Sequence, residues 1–159
     1  GQWYVIGATA HFAASAFVDY SGNDTYEAEM NMAIGAAHDY SVSFFQDVDG
    51  DDEYTAPNLS LGAGNENAIG IFFESGGDDT YKSKGITLGA SRINADKDTL
   101  SRFHSLSFGL FIDWKGKDTY PSDGISARTE KPAEGLTWFH KRPDSSPQEK
   151  GIGIDMPDK

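Results

Sequence analysis

The sequence predicts an all-β chain, a β-solenoid of about four coils of 27–28 residues with little or no helix. Three observations support this fold class. A ten-residue phrase recurs four times, large and small residues alternate before each copy, and no segment keeps the 3.6-residue period of a helix. Short strands repeated at this spacing are typical of stacked coils. We therefore expect one repeat domain over residues 1–128.

The repeated phrase begins with Phe and ends in Gly-x-Asp-x-Tyr, with an acid in third place. Its copies are residues 17–26, 45–54, 72–81 and 111–120. The third positions, at 19, 47 and 74, give a period of 28 and then 27 residues. Coils stacked at the strand spacing of about 4.8 Å would align the Phe side chains in one internal column and the Tyr side chains in a second.

Two runs in each unit have the pattern of strands. The first precedes the phrase, and large residues flank a small one at 42–44, 69–71 and 108–110. The second precedes a Gly-Ala step and has large residues at both ends, at 4–6, 32–34, 59–61 and 86–88. Because a period of two indicates a strand with one buried face, both runs are predicted to be strands.

The repeat is interrupted inside the fourth unit and stops after residue 128. An insertion at about residues 92–104 adds a polar, charged loop, which is where a binding site would be expected. Residues 129–159 hold four of the six prolines and are predicted to be a capping segment or an extended tail. Within them, residues 136–139 are an apolar candidate plug, and residues 151–155 resemble a strand of the repeat. No cap precedes the first coil, so removed upstream sequence or another chain is expected to cover that end.

The composition limits the classes of partner. A net charge of −12 argues against nucleic acid and against anionic membrane surfaces, and it favours cations or a basic partner. The absence of cysteine excludes disulfides and thiolate metal sites. No run reaches the roughly 18 apolar residues of a membrane span.

Stacking of the coils would also align the acids in two ladders, and two roles are open for them. Each acid could hold its own Gly turn by accepting backbone N–H groups. Alternatively the acids could bind calcium, which takes six to eight oxygen ligands. The second copy is the densest candidate, and the fourth is disfavoured because Lys115 and Lys117 flank its glycine. The candidate ligands are Asp47, Asp49, Asp51 and Asp52, followed by Asp19, Asp24, Glu74 and Asp79.

The sequence gives little support for an enzyme. His11 and His38 follow equivalent Gly-Ala steps, so they are either a candidate transition-metal pair or two partly exposed turn residues. The chain has no nucleophile elbow, phosphate loop or dinucleotide fingerprint. The many carboxylates leave a carbohydrate-active enzyme, either a glycosidase or a polysaccharide lyase, as the alternative function.

The four phrases resemble the tandem D-x-x-G-x-D-x-Y repeats of bacterial proteins, many of which are exported. They are more distantly similar to the calcium-binding β-rolls of the RTX type. The first resemblance implies an extracytoplasmic scaffold, and the second implies folding that depends on calcium. We therefore expect a non-enzymatic, acidic structural or interaction module. Its partner would be a protein, a glycan or a second copy that binds at the open end.

Overall fold

The computed structural model describes residues 4–93, 105–127, 129–140 and 148–158. These residues form thirteen strands and no helix, so the all-β prediction is confirmed. No helix able to cross a membrane occurs in this part of the chain. Residues 94–104, which make up most of the expected insertion, lie outside the described residues.

The first three copies of the repeat each supply three strands. These are β1 (Thr9–Ala10), β2 (Ala14–Asp19) and β3 (Thr25–Glu27); β4 (Ala37–His38), β5 (Val42–Asp47) and β6 (Glu53–Ala56); and β7 (Gly64–Asn65), β8 (Ile69–Glu74) and β9 (Thr80–Ser83). The fourth copy supplies β10 (Ser91–Arg92) and β11 (Ser107–Trp114), and they are followed by β12 (Thr137–His140) and β13 (Glu149–Met156).

The strands form three sheets, and each copy adds one strand beside the equivalent strand of the copy before it. The orders are β1-β4-β7-β10, β12-β13-β11-β8-β5-β2 and β3-β6-β9. All pairs are parallel except β12 with β13. A bridge from Thr80 to Thr119 brings the fourth copy beside β9.

The register of the sheets aligns the phrase residue by residue. Phe17, Phe45, Phe72 and Phe111 stack with ring centroids 4.9–5.0 Å apart. The tyrosines that end the phrases stack at 5.1–5.2 Å. The two predicted aromatic columns are therefore present, and they meet edge to face in the main core.

The prediction that the run before each Gly-Ala step is a strand is wrong. Alternate residues there adopt left-handed backbone conformations, including Met32 (φ 59°) and Ile34 (φ 51°). Ile34 packs into the main core, whereas Met32 packs into a second cluster with Leu59 and Ile86. Large residues recur every second position in both conformations, so the pattern could not distinguish this bent segment from a strand.

In the part of each strand that precedes the inward-facing Phe, small residues of the six-stranded sheet face inward and large ones face outward. A Cβ atom on Gly70 would lie 2.2 Å from the Ala63 carbonyl oxygen, and one on Gly109 would lie 1.8 Å from that of Ala90. The Gly-Ala step of each unit thus packs against the inner face of the sheet, where only a small residue fits. The large flanking residues are left on the outer face.

The described part of residues 129–159 continues the sheet. Strand β13 pairs with β11 in the repeat register, so Gly153 stands beside Phe111 and Asp155 beside Asp113. The glycine leaves a gap in the Phe column, and Trp138 of β12 fills it with 1% exposure. This segment therefore covers the end of the aromatic core.

Candidate metal centre

The acid in third place of each phrase points into the protein. It lies two residues after the inward-facing Phe, and a strand returns to the same face every second residue. Asp47, Glu74 and Asp113 are completely buried, and Asp155 occupies the same place in β13 with 4% exposure. The alternation of inward and outward side chains along the strands therefore places a row of carboxyl groups in the interior.

Each of these carboxyls receives a hydrogen bond from the Tyr of the preceding copy. The hydroxyls of Tyr26, Tyr81 and Tyr120 donate to Asp47, Asp113 and Asp155 at 2.5, 2.7 and 2.6 Å, and the hydroxyl of Tyr54 donates to Glu74. The tyrosines therefore fix one oxygen of each acid. The second oxygens of Glu74 and Asp155 accept backbone N–H groups, whereas those of Asp47 and Asp113 have no hydrogen-bond partner among the described residues.

We expect Tyr81→Phe to lower the free energy of unfolding by about 1–3 kcal/mol, because Asp113 Oδ2 loses the shorter of its two tyrosine hydrogen bonds, at 2.7 Å, and keeps only the one from Tyr120, at 3.1 Å. Chemical denaturation at pH 7 measures this change. Tyr20→Phe is the control, since that side chain is 76% exposed and should leave stability unchanged. Equal effects of the two substitutions would contradict the assigned role of the hydroxyl.

The Asp residues in eighth place form a second row, which is buried at Asp52 and Asp79 and half-buried at Asp24 and Asp118. The Oδ1 atoms of Asp52, Asp79 and Asp118 accept the backbone N–H of the equivalent Asp one copy earlier, at 2.6–2.8 Å. Glu134 continues this row by accepting the N–H of Asp118 at 2.7 Å. These bonds tie neighbouring copies together, so their structural role goes beyond holding a single turn.

The two rows converge on four groups of three carboxylates. Within a group, one oxygen from each residue lies within 4.8 Å of the others. Such groups of acidic side chains could hold a metal ion. They are Asp19, Asp24 and Asp47; Asp47, Asp52 and Glu74; Asp79, Asp113 and Asp118; and Asp118, Glu134 and Asp155.

The group formed by Asp79, Asp113 and Asp118 has the most carboxylate oxygens without a hydrogen-bond partner among the described residues. Asp79 Oδ2, Asp113 Oδ1 and Asp118 Oδ2 are each buried without a hydrogen-bond partner among the described residues. Asp79 and Asp113 are 1% and 0% exposed. A buried carboxylate oxygen without a partner is costly, so this group needs protons or a cation.

The pKa values of these carboxyl groups also indicate that they need protons or a cation. Burial raises the pKa of Glu74 to about 9, and the nearby Asp79 carboxylate adds to the shift. Burial likewise raises the pKa of Asp79 to about 8, with a further contribution from Asp118. The pKa values of Asp113 and Asp118 are also raised, chiefly by burial. At neutral pH these groups therefore retain protons unless a positive charge lies among them.

The sequence-predicted ligands fall into two sets. Asp47, Asp52, Glu74 and Asp79 belong to the buried groups, and Asp19 and Asp24 belong to the half-buried first group. Asp49 and Asp51 are exposed and lie outside all four groups found in the described residues.

Four further acids of the groups were not among the predicted ligands. Asp113 and Asp118 were disfavoured because of Lys115 and Lys117, but both lysines are exposed whereas Asp113 is buried. Asp155 could have been found from its strand-like surroundings. Glu134 carries no sequence signal, since it follows the end of the repeat.

The two candidate histidines lie close together outside these groups. Their ring centroids are 5.6 Å apart. His11 Nδ1 lies 3.0 Å from Asp39 Oδ2, and His38 Nδ1 lies 2.7 Å from Asn65 Nδ2. Both rings therefore have polar neighbours that account for their placement.

Comparison with protein-family models, with curated proteins and with solved structures finds no match to this chain. The chemistry of the carboxylate groups must therefore be argued from their own geometry. Because the interior carboxyls are shielded from solvent, a saccharide could not reach Asp47, Glu74 or Asp113. These three acids are therefore not placed to act on a glycosidic bond, whereas the groups to which they belong could hold a metal ion.

Proposed function

We propose that the chain is a non-enzymatic, acidic β-solenoid that holds calcium in its interior and acts as a structural or interaction module. The observation that carries the proposal is the group formed by Asp79, Asp113 and Asp118. Each of these residues contributes a buried carboxylate oxygen that has no hydrogen-bond partner in the described residues. Three such oxygens within 4.8 Å of one another would supply part of the six to eight oxygen ligands that calcium takes.

The solenoid part of the proposal rests on the register of the sheets. Equivalent strands of successive copies are parallel neighbours in three separate sheets, at a sequence separation of 27 or 28 residues between the first three copies. In such a structure each copy contacts mainly its neighbours, and the interior ladders supply the cohesion. A cation bound between copies would therefore strengthen the contacts that determine stability.

Calcium suits these groups better than a transition metal or a proton alone. All the ligands are carboxylate oxygens, which favour hard cations, and calcium tolerates irregular coordination. When ionised, two carboxylates about 5 Å apart repel by roughly 3 kcal/mol at an effective dielectric near 20. A divalent cation offsets that repulsion and the free-energy cost of burying the charged carboxylates. An extracytoplasmic location, where modules bind calcium with a Kd of about 10⁻⁴–10⁻³ M, fits the proposal.

Calcium titration of Asp113→Asn tests the proposal. The substitution keeps the size of the side chain but removes a ligand charge, and calorimetry should show calcium affinity at one site lowered by about tenfold or more. Asp51→Asn is the matched control, because Asp51 is an exposed acid of the same repeat and should bind as wild type does. Unchanged binding by Asp113→Asn, or no binding by the wild type at millimolar calcium, would overturn it.

A further inference from the structure

The outer face of the six-stranded sheet is largely apolar over its five parallel strands. Outward positions alternate with the buried ones along β2, β5, β8, β11 and β13. Only Gln46 and Lys150 are polar at outward positions of these five strands. Large side chains remain accessible to solvent there, with Val18 42%, Trp114 48% and Met156 37% exposed.

This face is unusual for the surface of a chain with a net charge of −12. Parallel sheets with apolar residues on both faces are normally covered on both faces. The five parallel strands, of six to eight residues each, cover roughly 540 Å² at a spacing of about 4.8 Å and a rise of about 3.3 Å per residue. That area lies near the top of the range for the largest apolar patch on a monomer, so an interaction surface is indicated.

We propose that the face packs against the same face of a second copy, which forms a two-fold symmetric dimer. Burial of about 540 Å² on each copy gives about 1,080 Å² in total, just above the roughly 1,000 Å² that a biological interface should exceed. The only charge at the outward positions of the five parallel strands is Lys150. Two such acidic chains can therefore approach through this face without opposing carboxylates.

The sizes of the side chains also fit a second copy. The β2 edge presents the small residues Ala14 and Ala16, whereas β13, at the opposite edge of the five parallel strands, presents Ile152, Ile154 and Met156. A two-fold axis parallel to the strands and passing near β8 places the small edge of one copy over the large edge of its partner. The face is then complementary to itself, as a symmetric interface requires, and the sheets pack about 10 Å apart.

Sedimentation velocity of the wild type and two variants tests the dimer, with calcium held constant. The wild type should be dimeric at micromolar concentration. Ile71→Lys, at the centre of the face, should weaken dimerisation by about a hundredfold or more, because it buries an unpaired charge. Phe12→Lys is the control: Phe12 is 79% exposed but lies off this sheet, and its variant should remain dimeric. A monomeric wild type at about 100 μM, or equal behaviour of the two variants, overturns the proposal.

A cysteine substitution tests the symmetry even if Ile71→Lys fails to fold. The chain has no cysteine, so Ile71→Cys introduces a single thiol near the proposed axis. Mild oxidation should give a covalent dimer at concentrations where Phe12→Cys gives little. Equal crosslinking at both positions, or none at residue 71, overturns a face-to-face dimer. A monomer that binds neutral lipid vesicles through this face would also overturn it.

Discussion

Calcium removal is expected to lower the melting temperature of this chain by roughly 10 °C or more at pH 8. A ligand at a hundred times its Kd, which is about 10 mM calcium for a Kd of about 10⁻⁴ M, adds about 2.7 kcal/mol per site, and 1 kcal/mol corresponds to about 2–4 °C at this chain length. Two occupied interior sites therefore account for the shift. Differential scanning calorimetry of calcium-free and calcium-loaded protein measures it.

The calcium-free protein should respond to pH in the direction set by its buried acids. The pKa of Glu74 is raised from 4.5 to about 9 and that of Asp79 from 3.8 to about 8, both mainly by burial. Between about pH 4 and pH 9 the folded state therefore holds protons that the unfolded state has released. Stability without calcium should fall as pH rises through this window.

Calcium should reverse this trend, because it competes with protons for the same oxygens. The gain in melting temperature on adding calcium is expected to be small at pH 5 and large at pH 8. Magnesium is a useful control, since it prefers strict octahedral geometry and keeps its water. If calcium does not change the melting temperature at pH 8, protons alone satisfy the interior carboxyl groups.

The aromatic columns could be predicted from sequence because the repeat specifies them chemically. Phe and Tyr occur at fixed places in every copy, and equal spacing places equal residues side by side. The inward direction of the acids follows from the same spacing, since each lies two residues after a buried Phe. The spacing could not show how deeply each acid is buried. Asp47 and Asp49 look alike in sequence, yet Asp47 is buried and Asp49 is exposed.

The features beyond the last phrase depend on contacts between distant parts of the chain. Glu134 reaches Asp118 from outside the repeat, and the indole N–H of Trp138 donates to the Leu88 carbonyl oxygen 50 residues away in sequence. Neither contact leaves a periodic signal. The bent segments were missed for another reason: left-handed residues such as Ile34 carry no sequence mark unless they are glycine.

Gly153→Ala is expected to destabilise the chain strongly, although it adds only one methyl group. The new Cβ atom would lie 2.0 Å from Cε2 of Trp138, which is held in place by Phe111, Tyr120 and a hydrogen bond to Leu88. Overpacking of this kind typically costs about 1–3 kcal/mol. Trp138→Ala should cost about 3–5 kcal/mol, because it empties the end of the aromatic core.

The double variant distinguishes this packing from two independent defects. Once Trp138 is replaced by Ala, the methyl group at residue 153 has room and partly fills the cavity. The loss in the double variant should therefore be smaller than the sum of the single losses by about 1 kcal/mol or more. Gly135→Ala is a control for a glycine that is replaced without a clash with Trp138: Gly135 has a positive φ (69°), so its variant strains the backbone, but the new Cβ atom would come no closer than 3.6 Å to its nearest neighbour, Pro157. It should show no such coupling to Trp138→Ala. Urea denaturation of the three single variants, and of the two double variants that combine Trp138→Ala with Gly153→Ala or with Gly135→Ala, measures both couplings. Additive losses at residues 138 and 153 would mean that Trp138 does not take the place of the missing Phe.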